Sequence, residues 1–320
     1  MTLPTLENLN LQKITKNVIL VKQVKTPAYF SCCDGLLLLP TAGGNQKTII
    51  LDLNIEPQYI KKINKLFGPV SHYINSHGHM DHIAHVYTWE KLGATIHAPS
   101  PEGKNLLKLN NFYESFGFDT ELSFSTIEKF GKLNGYKPCK SVEIFDPGET
   151  LDLDGLRIET IPLFGHSKSH HGFFIPEKKV LHISCLGFDK NSEKKDGFGP
   201  WYGFKECSIR QYFKDIEKSE KIYMKRAQIL TSSHAYPVHH PDPEPFIYMR
   251  KKIKKNQAKI DKALQIYNID LEKGDKKDNL ERLLDLDLFF PKRKIDGFLK
   301  RIYRFWEYWI IENHLLEYYD

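Results

Sequence analysis

Short apolar runs, not long helical stripes, mark the first 240 positions of the chain. Asn17–Lys22 reads Asn-Val-Ile-Leu-Val-Lys and predicts a buried strand. Ala28–Leu39 holds two strand-like runs around Asp34-Gly35, which predicts a hairpin. A turn at Thr41–Asn45 leads into another strand, Thr48–Asp52. The pattern then changes period: Ile60, Ile63 and Leu66, with a proline in the first turn, predict a helix over Pro57–Leu66. A strand at Val70–Ile74, a helix over Ile83–Trp89 and a strand at Ala94–Ala98 follow. Residues 99–116 read as helical or irregular, and 120–140 as a helical or loop insertion facing the site. Strands are expected again at Val142–Phe145, paired with Thr150–Leu153, and at Leu156–Pro162, Gly172–Ile175, Val180–Ser184 and Ala227–Thr231. A Gly- and aromatic-rich loop spans Gly187–Phe204, and 206–220 is helical.

From Pro245 the chain turns amphipathic. Phe246, Met249, Ile253, Ile260, Ala263, Leu264 and Tyr267 line one helix face while lysines take the other. A polar turn at Leu271–Asp278 separates it from helices over Leu280–Leu288 and Phe298–Tyr318. The aromatics Tyr303, Phe305, Trp306, Trp309 and Tyr318 read as packing onto the main body and not as a base-stacking platform. Strands followed by helices, twice over, give an α/β chain of two β-rich halves with outer helices. Its organisation is a body over 1–240 and a basic, aromatic-rich helical extension over 241–320.

Composition narrows this picture. With 320 residues, 41% of them hydrophobic, the chain can bury a large core. No run of about 18 apolar residues is present, so no membrane helix is expected. The start of the chain lacks the basic-then-apolar order of a signal peptide. Five cysteines with no C-x-x-C pair point to a reducing compartment, the cytoplasm. The net charge of +6 is concentrated: residues 245–301 carry 16 Lys and Arg against 9 Asp and Glu, a net of +7. Such a segment suits a nucleic-acid partner, although a solvated helix face is the commoner outcome. A homo-oligomer is compatible with the sequence and is not specified by it.

The chemistry concentrates in Asn75–His85, Asn-Ser-His-Gly-His-Met-Asp-His-Ile-Ala-His, between a strand and a helix. His77 and His79, two apart in extended chain, point to one side and suit a shared metal. Asp81 and His82 sit where the chain turns into the helix and can reach a neighbouring ion; imidazole and carboxylate are ligands that zinc accepts. Further along, His166 lies in Leu163-Phe-Gly-His-Ser167, Cys185 follows a strand, and His234 ends Thr231-Ser-Ser-His234. His170, His171, His182, His239 and His240 are read as satisfied or exposed side chains.

The H-x-H-x-D-H stretch resembles the signature of the metallo-β-lactamase superfamily. Phe-Gly-His-Ser is similar to its Pro-Gly-His-Ser/Thr motif, with Phe164 where proline usually stands. The resemblance implies a four-layer α/β/β/α sandwich with a C-terminal helical extension. It implies one site made by His77, His79 and His166 and a second made by Asp81, His82 and His234. Ser184-Cys185 stands where the family's Gly-Asp pair is expected, so Cys185 replaces the bridging carboxylate; a thiolate is itself a good zinc ligand. The implied cofactor is zinc, one or two ions, with Fe or Mn admitted. The implied reaction is hydrolysis by a metal-bound hydroxide, with Asp81 as catalytic residue, on a small acyl substrate such as an ester, thioester or lactone. Gly199-Pro-Trp-Tyr-Gly203 is reminiscent of archaeal-type members, related to the glyoxalase II-like and lactamase-β-like branch, and makes Trp201 and Tyr202 candidates for the substrate wall, with pinning of the loop as the equal alternative. Glu307, His314 and Leu315 are similar to the tail of endoribonucleases and acyl-ester hydrolases of this superfamily, so RNA hydrolysis is the alternative. β-Lactam hydrolysis is a lesser one, since Phe188 stands where a lysine is expected three residues after Cys185.

Overall fold

The computed structural model describes residues 3–28, 30–40, 47–189, 199–271, 275–290 and 297–319. The first sheet has seven strands that lie side by side in chain order. They are β1 (Leu9–Thr15), β2 (Val18–Gln23), β3 (Gly35–Leu38), β4 (Thr48–Leu51), β5 (Val70–Ile74), β6 (Thr95–Pro99) and β7 (Glu143–Phe145). β1 to β4 pair antiparallel, and β4 to β7 pair parallel. The second sheet has six: β8 (Thr150–Leu153), β9 (Leu156–Pro162), β10 (His171–Ile175), β11 (Val180–His182), β12 (Ile229–Thr231) and β13 (Val238–His239). All its pairs are antiparallel except β11 with β12.

Strand alternation explains why the sheets stack. In β2, Val18 and Leu20 enter the core between the sheets while Ile19 and Val21 enter the outer core. In β10, Phe173 and Ile175 face inward and Phe174 faces out. In the central strands both faces are therefore apolar, and helices must cover the outer ones. On the first sheet this is done by α1 (Pro57–Phe67), through Ile60, Ile63 and Phe67, with α2 (Met80–Ile83) and α3 (Tyr87–Lys91), whose Trp89 is fully buried. Next come α4 (Leu109–Ser115) and α5 (Phe124–Leu133). α6 (Ile209–Arg226) covers the second sheet; Ser208 caps its first turn and Arg226 pairs bidentately with Glu159 of β9 at 2.8 and 2.9 Å.

The tail forms α7 (Glu244–Ile266), α8 (Lys276–Leu284) and α9 (Phe298–Tyr319). Phe246, Met249, Ile302, Phe305 and Trp306 join the outer core of the sheets, while Ile260, Leu283, Ile311 and Leu315 make a separate cluster among the three helices. No helix among the described residues is long and apolar enough to cross a membrane.

Several sequence expectations change. The hairpin at Ala28–Leu39 is not formed: only Gly35–Leu38 is strand, because the amides of Cys33 and Asp34 are taken by Asn54 O and Ser233 O on neighbouring loops. Val142–Phe145 and Thr150–Leu153 do not pair; β7 ends the first sheet and β8 begins at the edge of the second, so the chain crosses between layers there. The helix over Ile83–Trp89 begins earlier and breaks into α2 and α3. β1 was not expected, its outer positions being polar. The turn at Thr41–Asn45, and parts of the Gly187–Phe204 loop and of the turn at Leu271–Asp278, lie outside the described residues.

Phe173 is fully buried between the sheets. Phe173→Ala is expected to cost about 3–5 kcal/mol of stability in urea denaturation; a loss below about 1 kcal/mol would contradict this packing.

Candidate metal centre

Strand direction gathers the chemistry at one end of the molecule. β4 and β5 run parallel, and β9 runs with β11 and β12 because two antiparallel steps separate it from β11. The turns that follow these strands carry His77 and His79 after β5, His166 after β9, Cys185 after β11 and His234 after β12. Asp81 and His82 sit in α2. All seven residues named from the sequence meet here.

His77, His79 and His166 converge at the floor. His166 Nε2 lies 3.2 Å from His77 Nε2 and 3.0 Å from His79 Nδ1. His166 Nδ1 donates to the Trp201 carbonyl at 2.8 Å, so its Nε2 carries a bare lone pair. Burial first, then neighbouring imidazoles, hold His77 and His79 far below their usual range, and burial brings His166 down to about 3. Three neutral rings therefore bring nitrogens together around His166 Nε2, whose single lone pair cannot accept protons from both neighbours. A cation there would take up the crowded lone pairs, while His79 Nε2, on the far side of its ring, has no partner among the described residues. The spacing also fits, since tetrahedral zinc with bonds of 2.0–2.1 Å sets ligand nitrogens about 3.3 Å apart.

The second group lies beside it. Ligand atoms of Asp81, His82, Cys185 and His234 lie within 4.8 Å of one another, as do those of His77, His166 and Cys185, so Cys185 belongs to both groups. Cys185 Sγ is 3.0 Å from His82 Nε2, and His234 Nε2 is 3.1 Å from Asp81 Oδ2. Burial would lower His234, but its bond to Asp81 and the charges of Asp189, Asp81 and Asp34 raise it to about 9. Burial drives the Cys185 thiol well above its usual value, with Asp81 and Asp189 adding to the effect. A bound cation would reverse that and favour the thiolate. The donor set of both groups fits a transition-metal ion.

Three buried residues hold these side chains: Asp52 and Glu102, which sequence reading did not single out, and His170, which it read as satisfied or exposed. Asp52, at the end of β4, accepts from His82 Nδ1 at 3.0 Å, the Ser76 amide at 3.0 Å, and the hydroxyls of Ser184 and Ser233 at 2.7 and 3.0 Å. Burial opposes its charge, yet His82 and His182 hold its carboxyl far below the usual range. An acidic residue directly after the apolar run Thr48–Leu51 was the available signal. His170 donates to Leu163 O at 2.9 Å and accepts the Cys185 amide at 3.2 Å, which fixes the turn that carries the thiol. Glu102 accepts from the Gly78 amide, the Ser167 hydroxyl and the Ser169 amide at 2.9–3.1 Å, tying the His77–His79 turn to the His166 turn. Gly78 is needed there, because a Cβ would meet Asn105 Nδ2 at 2.5 Å. Gly165 likewise lets the His166 turn lie against α6, where a Cβ would meet the Tyr212 backbone at 2.4 Å. Asp189 is half-buried at the rim and raised to about 6, by desolvation first.

The centre opens into a cavity of about 350 Å³. Among its lining residues are His79, Asp81, His166, Cys185 and His234. Trp201 lines it, as does Phe130 of α5, so the insertion at 120–140 does face the site. Tyr202 is not among the lining residues. It is turned into the core, where its hydroxyl meets His314 Nε2 at 3.0 Å, and Asn313 holds the carbonyls of Tyr202 and Phe204 at 2.9 and 3.0 Å. α9 thus pins the loop whose Trp201 carbonyl orients His166. His239 and His240 do not contribute to either ligand group.

Glu102 generates a pH signature. Its carboxyl moves from an ordinary value of 4.5 to about 7, chiefly through burial. The folded state then keeps a proton that the unfolded chain releases, so this stability is present below pH 4.5 and is lost as pH rises toward about 7. Metal-free wild type should lose up to about 3 kcal/mol across that window that Glu102→Gln does not lose. Identical pH slopes in urea denaturation of the two proteins would contradict this.

Comparison with known proteins agrees with this geometry. No curated protein matches the sequence. A solved metallo-β-lactamase family protein from Thermus thermophilus is 16% identical with a TM-score of 0.64, covering 95% of this chain and 94% of that one. DIM-1 metallo-β-lactamase is 17% identical with a TM-score of 0.52, over 78% of this chain and 97% of its own. A metallo-β-lactamase from Pontibacter korlensis is 16% identical with a TM-score of 0.52, over 75% of this chain and 96% of that one. At such identities the likeness is one of fold. The family model for the metallo-β-lactamase superfamily matches residues 41–222, more than half of the sequence. With strand-end donors in the order that its motifs anticipate, the chain belongs to the metallo-β-lactamase superfamily of metal-dependent hydrolases.

Proposed function

We propose that this protein is a zinc-dependent hydrolase of small acyl compounds: esters, thioesters, lactones or related molecules. The observation that carries the reading is the pair of donor groups sharing Cys185 at the floor of a 350 Å³ cavity. That volume is at the small end of the roughly 300–1,000 Å³ range of small-molecule sites. Lys22 is the single Lys or Arg among the described residues lining it. Lys251, Lys254 and Lys255 of α7 are exposed and do not line it, so support for the RNA alternative stays with the charge of the tail.

In this reading His77, His79 and His166 hold one ion. Asp81, His82, Cys185 and His234 hold a second, with Cys185 between them. Bound zinc supplies Lewis acidity toward a carbonyl and makes water acidic enough to react near neutral pH. Asp81, on the cavity surface, orients the attacking water and accepts its proton. Asp52 and His170 act through His82 and Cys185 and keep the donors aimed. Residues 1–240 form the catalytic body, and 241–320 an extension that closes the cavity on one side. Five buried, free cysteines suit a cytoplasmic setting.

Hydrolysis of p-nitrophenyl butyrate should vanish on dialysis against a chelator and return with zinc. Asp81→Ala should lower kcat/KM by at least about 100-fold, within the range for a positioned acid–base group. Ester turnover that ignores chelation would refute the reading. So would salt-sensitive RNA cleavage with no ester turnover, which would favour the nuclease.

A further inference from the structure

One wall of the cavity has no part in holding the proposed ions. It is aromatic and comes from four separate parts of the chain: Phe30 after β2, Phe112 and Phe130 on α4 and α5, Trp201 and Phe204 on the 199–204 loop, and Trp306 on α9. The rings form a continuous surface. Trp306 is 4.6 Å from Phe30, 5.4 Å from Trp201 and 6.0 Å from Phe130, centroid to centroid, and all three pairs are edge-on. Trp201 continues to Phe204 at 6.2 Å, and Phe204 lies 4.7 Å from the His79 ring. The aromatic wall therefore begins in contact with a proposed ligand and runs away from it toward the C-terminal helix.

Such a wall is more than core. Phe112, Phe130, Phe204 and Trp306 are at most 5% exposed, yet each borders the void; Phe30 and Trp201 are half-buried at it. Water in that part of the cavity meets ring faces and edges, and few polar partners are there to hold it. An apolar group replacing it gains burial and aromatic contact. The polar lining groups cluster around His234: Asp81 is 3.1 Å from it, and the charges of Asp189 and of Asp34, itself paired with Lys22 at 3.2 Å, act on it. The cavity thus has a polar reacting end and an apolar arm.

We propose that this arm is an acyl-binding subsite, built in part by α9, which selects substrates whose acyl portion is an apolar chain or ring over short or charged ones. The proposal rests on the hydrolase reading for its reaction. The subsite itself is defined by the wall alone. It gives the tail a role that its sequence did not suggest: Trp306, read there as packing, also determines specificity.

Two measurements separate the subsite from the reaction. The first compares kcat/KM for p-nitrophenyl acetate, hexanoate and succinate. At roughly fourfold per buried methylene, the hexanoate should be favoured over the acetate by at least tenfold, with the succinate behind both. In Trp306→Ala and in Phe30→Ala the hexanoate-to-acetate ratio should fall at least threefold. Phe30 is half-buried, so that variant carries the test if Trp306→Ala does not fold. The second titrates hexanoate and acetate into the zinc-loaded and the chelator-treated full-length protein by calorimetry. Hexanoate should bind at least tenfold more tightly in both states and lose that advantage in the variants. Hexanoate preference in binding with no turnover of any ester would defeat the hydrolase reading and keep the subsite. Turnover with a flat acyl series, equal binding of the two acids, no binding of either, or ratios unchanged in both variants would overturn the subsite.

Discussion

Everything at the functional end of this molecule follows from a conflict among three imidazoles. His166 has its one proton committed to the Trp201 carbonyl, and its remaining lone pair faces ring nitrogens of His77 and His79 at 3.2 and 3.0 Å. Burial keeps all three neutral, so protonation cannot resolve the crowding. A folded chain that left such a cluster bare would pack electron pairs against each other in a dry interior, which is costly. A cation removes the conflict outright. The surrounding structure enforces the arrangement: Asp52, Glu102 and His170 are buried and orient the ligand-bearing turns, and none of them is itself in either ligand group.

The second group is of a different kind. His234 and Asp81 satisfy each other as an ion pair, and the Cys185 thiol can donate to His82 Nε2. It is stable without a cation in a way that the three-imidazole group is not. A thiol at the position the two groups share places no fixed negative charge there, since burial favours its protonated form. Asp189, half-buried at the rim with one carboxylate oxygen unpartnered among the described residues, is an acidic group whose charge reaches Cys185.

Much of this was legible in the sequence, for a physical reason. Ligand types are few and strands end in turns, so His77, His79, Asp81, His82, His166, Cys185 and His234 could be named from residue chemistry and motif order, and the fold brings all seven together. The apolar runs gave most strands because the central strands are buried on both faces. The hairpin at Ala28–Leu39 was misread because its amides bond to loops far away in sequence, and Cys33 and Asp34 report nothing of Asn54 or Ser233. Glu102 left no trace, since a buried glutamate is defined by the three donors around it and not by its neighbours in the chain. Tyr202 and Trp306 were exchanged in role: the first is anchored in the core by His314, and the second reaches the cavity. Helical periodicity says which face of α9 is buried, but not that the buried face ends at a void.

The central claim, that the three-imidazole group is a metal site, is tested most directly by metal content per chain. Wild-type protein exposed to zinc and then freed of excess should retain at least one ion, and the double variant His77→Ala with His166→Ala should lose the ion that this group holds while remaining folded by circular dichroism. Equal zinc content in the two proteins would contradict the account.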